Sequence, residues 1–352
     1  MAPVANVRAL FNEVPKEYYP EPGKTTVIDT THSIDPETVS LDGGILIKTL
    51  DFSIDPYLIG QMCVAPLKLP VPAFEIGKAV YSYGVGVVVR SESASAKAGD
   101  HVYGILDHAH YNIKKDLSSA GLEILDNAHN LPWSTYLGPR SSSQACHFLG
   151  KTSYYGWKEY SKAKKGETVF VSTGAGAVGS LVIQLAKRDG LKVIGSAGSE
   201  EKVQFMKEIG ADVAFNYKTT STKEVLAKEK PIDIYWDNVG GETLDAALGA
   251  MAVNGRIIVC GMISSLANQN AAGIKNLGQI IPKSITINGF AVNRLEDKHG
   301  EDFGREMPPL VASGEIKHKE HVWNGLENVG DALLAVLKGT NKAKAIIHVA
   351  DD

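Results

Sequence analysis

The chain has 352 residues, 44% hydrophobic and 22% charged, with a formal net charge of −4. That length accommodates roughly two domains with ample core, and the balance of charge gives no reason to expect nucleic acid or an anionic membrane as partner. No apolar run approaches the ~20 residues that span a bilayer. The start, Met1-Ala2-Pro3-Val4-Ala5-Asn6, lacks the charged and apolar regions of a signal peptide. Three cysteines, Cys63, Cys146 and Cys260, are far apart and odd in number. Together these features predict a cytoplasmic protein whose thiols are reduced and serve packing.

Residues 1–130 read as short β-rich segments, Gly44–Leu50, Ala79–Val89 and His101–Ile105, punctuated by Pro, Gly and Asp-Pro. This predicts a barrel-like all-β domain. His101, His108 and His110 are close in sequence but have no matching cysteine. They read as surface or packing histidines, so the expected metal set is none.

From Val169 to Phe290 the chain alternates strand and helix. The strands are expected at Val169–Ser172, Lys192–Ser196, Val213–Phe215, Ile232–Trp236, Arg256–Cys260 and Ser284–Phe290, with helices near Val178–Arg188, Glu200–Glu208, Lys223–Lys228 and Thr243–Met251. This order predicts an α/β fold with a doubly wound, parallel, six-stranded sheet. Its first turn carries Gly174-Ala175-Gly176-Ala177-Val178-Gly179 between an apolar run and a helical pattern, the context that makes a three-glycine match a dinucleotide fingerprint. Gly174 permits the tight turn, Gly176 lets backbone approach a pyrophosphate, and Gly179 lets helix pack on strand. Ala177 and Val178 open the helix, whose free N–H groups and positive dipole end face the phosphates.

An NAD site needs Asp or Glu about 20 residues after the glycines to hold the ribose 2′-hydroxyl. Here the second strand ends Gly195-Ser196-Ala197-Gly198, and Ser199 caps a new helix with Lys202 in its first turn. Without the carboxylate, and with a cation, the pattern favours NADPH over NADH. The remainder of the chain adds a helix near Val329–Lys338 and a strand Ala345–Val349. The expected division is 1–130 with 302–352 as a catalytic or substrate domain, and 131–301 as the dinucleotide domain.

Several motifs carry a family resemblance: Asp55-Pro56-Tyr57-Leu58, Gly99-Asp100-His101-Val102-Tyr103-Gly104, Gly198-Ser199-Glu200-Glu201-Lys202-Val203, Phe215-Asn216-Tyr217-Lys218, Asp237-Asn238-Val239-Gly240-Gly241 and Gly339-Thr340-Asn341-Lys342. With a β-rich start and a central Rossmann domain, the chain resembles the zinc-independent medium-chain dehydrogenases/reductases, in the branch of alkenal double-bond reductases and prostaglandin reductases. The resemblance implies a GroES-like barrel-type catalytic domain beside the Rossmann domain, a homodimer formed through Ser284–Phe290, and NADPH as cofactor. It also implies reduction of the C=C bond of small apolar α,β-unsaturated aldehydes or ketones, by hydride addition to the β-carbon without a metal.

By the same resemblance Lys202 and Tyr217 contact the 2′-phosphate, Asn238 the nicotinamide side and Asn341 the cofactor late in the chain, while Tyr57 is the polar substrate contact. Tyr154 and Tyr155 either line the nicotinamide face or pack a helix. Three places depart from the family. Ile59 stands where an arginine is usual, Leu266 where a tyrosine is usual, and the segment 139–150 replaces a short Gly-Met-Pro-Gly loop. Two alternatives stay open on this scaffold: a quinone or aldehyde reductase, and an NADPH-binding protein with weak or no catalysis.

Overall fold

Long apolar runs between the Pro and Gly punctuation of the first 130 residues pair into a mainly antiparallel sheet. A computed structural model describes residues 3–16, 19–62, 72–137, 150–264 and 273–352, and the chain divides into two units, 1–149 with 320–352 and 150–319.

In the first unit, β1 (Val4–Ala5) pairs with β4 (Ser33–Ile34) and β2 (Arg8–Phe11) with β3 (Thr26–Asp29). The main sheet contains β5 (Ile45–Ile54), β6 (Tyr81–Ser91), β7 (His101–Asp107), β8 (Tyr111–Lys114), β9 (Glu123–Ile124), β16 (Glu320–Asn324) and β17 (Lys344–His348). Its order is β16-β17-β5-β6-β7-β9, with β8 also on β5. Strand β5 is buried along almost its whole length, as expected of a central strand covered on both faces. Short helices α1 (Leu58–Met62) and α2 (Leu117–Ala120) and the longer α10 (Val329–Lys338) complete the unit. Ile45, Phe52, Ile54, Val102, Leu333 and Ile347 share its core. Ile59, in place of the usual arginine, is buried in that core.

The second unit is built on β10 (Thr168–Val171), β11 (Lys192–Ala197), β12 (Val213–Asn216), β13 (Ile232–Asp237), β14 (Met251–Val259) and β15 (Thr286–Gly289). All pairs are parallel, in the order β12-β11-β10-β13-β14-β15. The chain runs outward from β10, returns to β13 on its other side and runs outward again, the doubly wound pattern expected from the alternation. Helices α3 (Lys151–Tyr160), α4 (Ala177–Arg188), α5 (Glu200–Glu208), α6 (Thr222–Glu229), α7 (Gly241–Ala250), α8 (Ile280–Lys283) and α9 (Glu296–Ala312) join and cover the strands.

Two strand starts and one helix of the second unit differ from the sequence expectation for identifiable reasons. Strand β14 starts at Met251, five residues early, because Met251 pairs with Ile232 ahead of a register shift. Strand β15 starts late because Ser284 takes φ 49° and closes α8. The largest difference is α9, a helix where none was expected. Pro308 and Pro309 lie inside it, and prolines normally mark a stop. Phe303 and Met307 are nonetheless fully buried, and Phe303 packs edge-on against Tyr154 and Tyr155 of α3. The two compact units change over at 149/150 and 319/320.

Candidate functional site

The glycine turn lies between β10 and α4, where the sheet changes direction of growth. Thr173 takes φ 53°, so the chain turns sharply after the buried Ser172. Gly174 N–H donates to the Ser196 carbonyl on β11 (2.8 Å) and Gly176 N–H to Thr173 O (3.0 Å). A Cβ on Gly179 would stand 2.4 Å from Thr173 O and 2.8 Å from Gly174 Cα, so α4 sits on the loop at glycine distance. A Cβ on Gly174 would stand 2.7 Å from Met206 Sδ, whereas one on Gly176 meets nothing nearer than 3.3 Å within the protein. Gly176 is also the N-cap of α4, and no side chain caps it. Ala177 and Val178 are partly exposed beside it. The backbone donors at this helix start are thus left for an anion, with helix dipole and geometry both favouring phosphate.

At the end of β11 the three residues that follow Ser196 carry no acid. Ser199 Oγ accepts from Lys202 N and caps α5. Of the two acids in that first turn, Glu200 turns to β12 and accepts from Asn216 Nδ2 at 2.9 Å. Tyr217 N–H donates to Ala197 O, which folds its ring over Gly198, so that a Cβ there would meet the phenol oxygen at 2.9 Å and Lys218 Cε at 3.2 Å. Lys202 is half-buried, and burial followed by repulsion from Lys218 holds its ammonium below the usual lysine range. Two cations and a phenol therefore gather at the end of β11. The sequence singled out Lys202 and Tyr217; Lys218 enters only because β12 ends beside β11.

Asn238 follows β13. Its N–H donates to Ser172 Oγ (3.0 Å), its Nδ2 to Ser172 O (2.6 Å), and its Oδ1 accepts from Trp236 Nε1 (3.2 Å). The side chain ties the carboxyl ends of β10 and β13 together at the base of the glycine loop. Asp237 is fully buried beside it. Its Oδ1 accepts from Tyr235 O–H (2.6 Å) and from the N–H groups of Val239 and Gly240, and burial raises its carboxyl. Sequence reading assigned Ser172 and Asp237 no role; their signal was only their place at two strand ends.

Tyr57, in the first unit, follows β5 at the entry to α1. Its ring stands edge-on to Tyr83 at 6.4 Å between centroids. The buried hydroxyl has no side-chain hydrogen-bond partner among the described residues; burial, then the nearby Asp55 charge, hold the phenol well above its usual range, against a smaller opposing effect of the Tyr83 backbone. Asn341 lies in the turn before β17, where its Nδ2 donates to Ala343 O at 2.7 Å.

The other sequence candidates have structural partners. Tyr154 O–H donates to Glu306 and Tyr155 O–H to Glu296, which also pairs with the buried Lys151 at 3.1 Å. These tyrosines take the packing role, joining α3 to α9. His101 stacks on Trp133 at 3.7 Å and pairs with Asp352. His108 is buried against Phe52 and bonded to Ser82 Oγ. Desolvation pushes the Cys260 thiol up to about 12, so it is an unreactive group. Cys63, Cys146, Leu266 and the segment 139–149 lie outside the described residues.

A doubly wound parallel sheet with a glycine cradle at its change of direction defines a dinucleotide-binding protein of Rossmann type. Comparison with known proteins agrees. A family profile described as zinc-binding dehydrogenase matches residues 177–307, and one described as the N-terminal domain of oxidoreductase matches 26–121. The chain is 38% identical to (+)-pulegone reductase of Mentha piperita, covering 88% of this chain and 89% of that protein. It is 37% identical to the NADP(+)-dependent 2-alkenal reductase of Nicotiana tabacum, covering 87% of each. The crystal structure of CurA from Vibrio vulnificus in complex with NADPH superposes with a TM-score of 0.84 at 27% identity, covering 98% of this chain and all of that one. The chain belongs to the medium-chain dehydrogenase/reductase family, in the branch that contains the alkenal double-bond and prostaglandin reductases.

Proposed function

We propose that the protein is an NADPH-dependent reductase of the C=C bond of α,β-unsaturated aldehydes and ketones. The cofactor fits the residues present. Gly174, Gly176, Ala177, Val178 and Gly179 would hold the pyrophosphate, and Lys202, Tyr217 and Lys218 the 2′-phosphate. Asn238 would set the floor of the nicotinamide half, and Asn341 would contribute from the turn before β17. When bound, NADPH supplies a hydride to the substrate's β-carbon.

The observation that carries the reading is the Tyr57 hydroxyl, a buried donor with no side-chain hydrogen-bond partner among the described residues. Because the phenol is held well above its usual range, it keeps its proton at neutral pH and can donate. Charge that develops on the carbonyl oxygen as the enolate forms is stabilised by such a donor, and protonation of the α-carbon completes the saturated carbonyl. No metal enters this scheme: the segment after Pro72 reads Ala73-Phe74-Glu75-Ile76-Gly77, and His101 and His108 are committed to packing and hydrogen bonds.

Transfer of deuterium from labelled NADPH tests the reading. Label on the β-carbon of an enal or enone supports it. Label on C1 of an alcohol, or turnover of quinones alone, points to the quinone or aldehyde reductase alternative. NADPH binding without turnover of any of these would make the chain a cofactor-holding protein. The relatives' names support the enal and enone class.

The homodimer belongs to the same proposal. Strand β15 is the outer strand of its sheet, and Ile281, Leu277 and Ile287 stand exposed on and next to it, the kind of open apolar edge that a second copy covers. Among the described residues no helix is long and apolar enough to cross a membrane.

A further inference from the structure

The corner that carries Tyr57 is held by a lysine almost three hundred residues away. Lys344, the first residue of β17, is buried, and its Nζ lies 2.5 Å from Asp55 Oδ1, with side-chain exposures of 4% and 23%. The same ammonium reaches the Ile54 carbonyl at 3.4 Å. The other oxygen of Asp55 accepts from Ser53 Oγ. Both oxygens of the carboxylate are therefore engaged by β5 and β17, which are paired at Ala345 and Ile54. Asp55 O in turn accepts from Leu58 N at 3.2 Å, and Pro56 O and Tyr57 O accept from the next two N–H groups. The turn that aims Tyr57 thus begins on a clamped residue. A buried lysine that is paired and hydrogen-bonded at such a junction is a fixed point, because moving it would strand two charges in low dielectric. The Asp55 charge also acts on the neighbouring phenol, and Lys344 offsets that charge.

We propose that Lys344 is a positioning residue for Tyr57: through Asp55 it fixes the Asp55-Pro56-Tyr57 corner and neutralises the carboxylate beside the phenol. This rests on the reading of Tyr57 as the donor to the substrate oxygen. The role is distinct from cofactor binding, so it separates in kinetics from the effects expected at Lys202.

The test is a mutant cycle assayed with a 2-alkenal at saturating NADPH. Lys344→Met is expected to lower kcat/KM for the alkenal by about tenfold or more while the KM for NADPH moves less than about twofold. In the Tyr57→Phe background the same substitution should change kcat/KM by less than about twofold, since residues acting as a unit are not additive. Equal factors in both backgrounds would show a general structural role and overturn the proposal, as would an unchanged kcat/KM in Lys344→Met alone. If Tyr57→Phe by itself leaves kcat/KM unchanged, the donor reading fails first and the proposal falls with it, a result recognisable because it precedes any substitution at Lys344. Should Lys344→Met not fold, Lys344→Met/Asp55→Asn removes both charges and leaves no uncompensated ion; the same cycle is then run with that pair, with the same two outcomes deciding it.

Discussion

Gly179→Ala sets two physical effects of opposite sign against each other. Gly179 lies in the first turn of α4, where alanine is intrinsically better than glycine by about 1 kcal/mol. Helix propensity alone therefore predicts a more stable protein. The new Cβ, however, would sit 2.4 Å from Thr173 O and 2.8 Å from Gly174 Cα, both backbone atoms that cannot rotate away. Ordinary contact begins at 3.4 Å, so the start of α4 must retreat from the loop by about 1 Å. Overpacking of this kind costs about 1–3 kcal/mol, which leaves a net loss of ~0–2 kcal/mol after the propensity gain.

The larger effect is on the cofactor. Hydrogen bonds from N–H groups to a charged acceptor contribute about 1.5–3 kcal/mol each, and a 1 Å retreat loses or stretches at least one of them. NADPH affinity should fall by about 10- to 100-fold. Isothermal titration calorimetry measures the affinity, and urea unfolding without NADPH measures the stability. Gly176→Ala is the companion variant. Its Cβ finds Thr173 O at 3.3 Å, so stability should change by less than about 0.5 kcal/mol, yet on the proposed reading the methyl group keeps the backbone from approaching the pyrophosphate. NADPH binding with unchanged affinity in both variants would refute the placement of the phosphates at this turn.

Lys202→Ala and Lys218→Ala should each raise the KM for NADPH by about tenfold and leave that for NADH within about twofold; steady-state kinetics with both cofactors decides, and equal effects on the two would remove the lysines from the 2′-phosphate. Lys151→Met strands the buried Glu296 carboxylate and should destabilise by about 3–5 kcal/mol, with most of that recovered in Lys151→Met/Glu296→Gln; denaturant unfolding giving a loss below about 1 kcal/mol would contradict this. Burial pushes the His108 imidazole down to about 3 from 6.5, so the folded state binds fewer protons there than the unfolded chain. Its contribution is complete above pH 6.5 and is lost as pH falls through the window down to about 3. The expected loss is ~2 kcal/mol between pH 6.5 and 5. His108→Gln should flatten that part of the stability profile, and an unaltered slope would show that the imidazole titrates freely.

Much of the second unit was legible because its information is local. Val169–Val171 followed by three glycines and an apolar helix face is a period change and a turn chemistry written within 20 residues, and it folds as β10, loop and α4 wherever the rest of the chain goes. The same holds for Ser199 capping α5 and for the acid-free end of β11, which together predicted the cofactor preference. The sequence by itself thus determined the fold class, the strand order's logic and the cofactor preference. Only the tertiary structure decided what depends on residues distant in sequence. Lys218 joins Lys202 because β12 lies beside β11. Helix α9 survives two prolines because Phe303 and Met307 are buried there. Tyr154 and Tyr155 turn to Glu306 and Glu296 on that same helix rather than to a ligand. The clamp on Asp55 needs Lys344, 289 positions later, and no periodicity or spacing links the two; burial of a charge selects its partner only once the chain has folded.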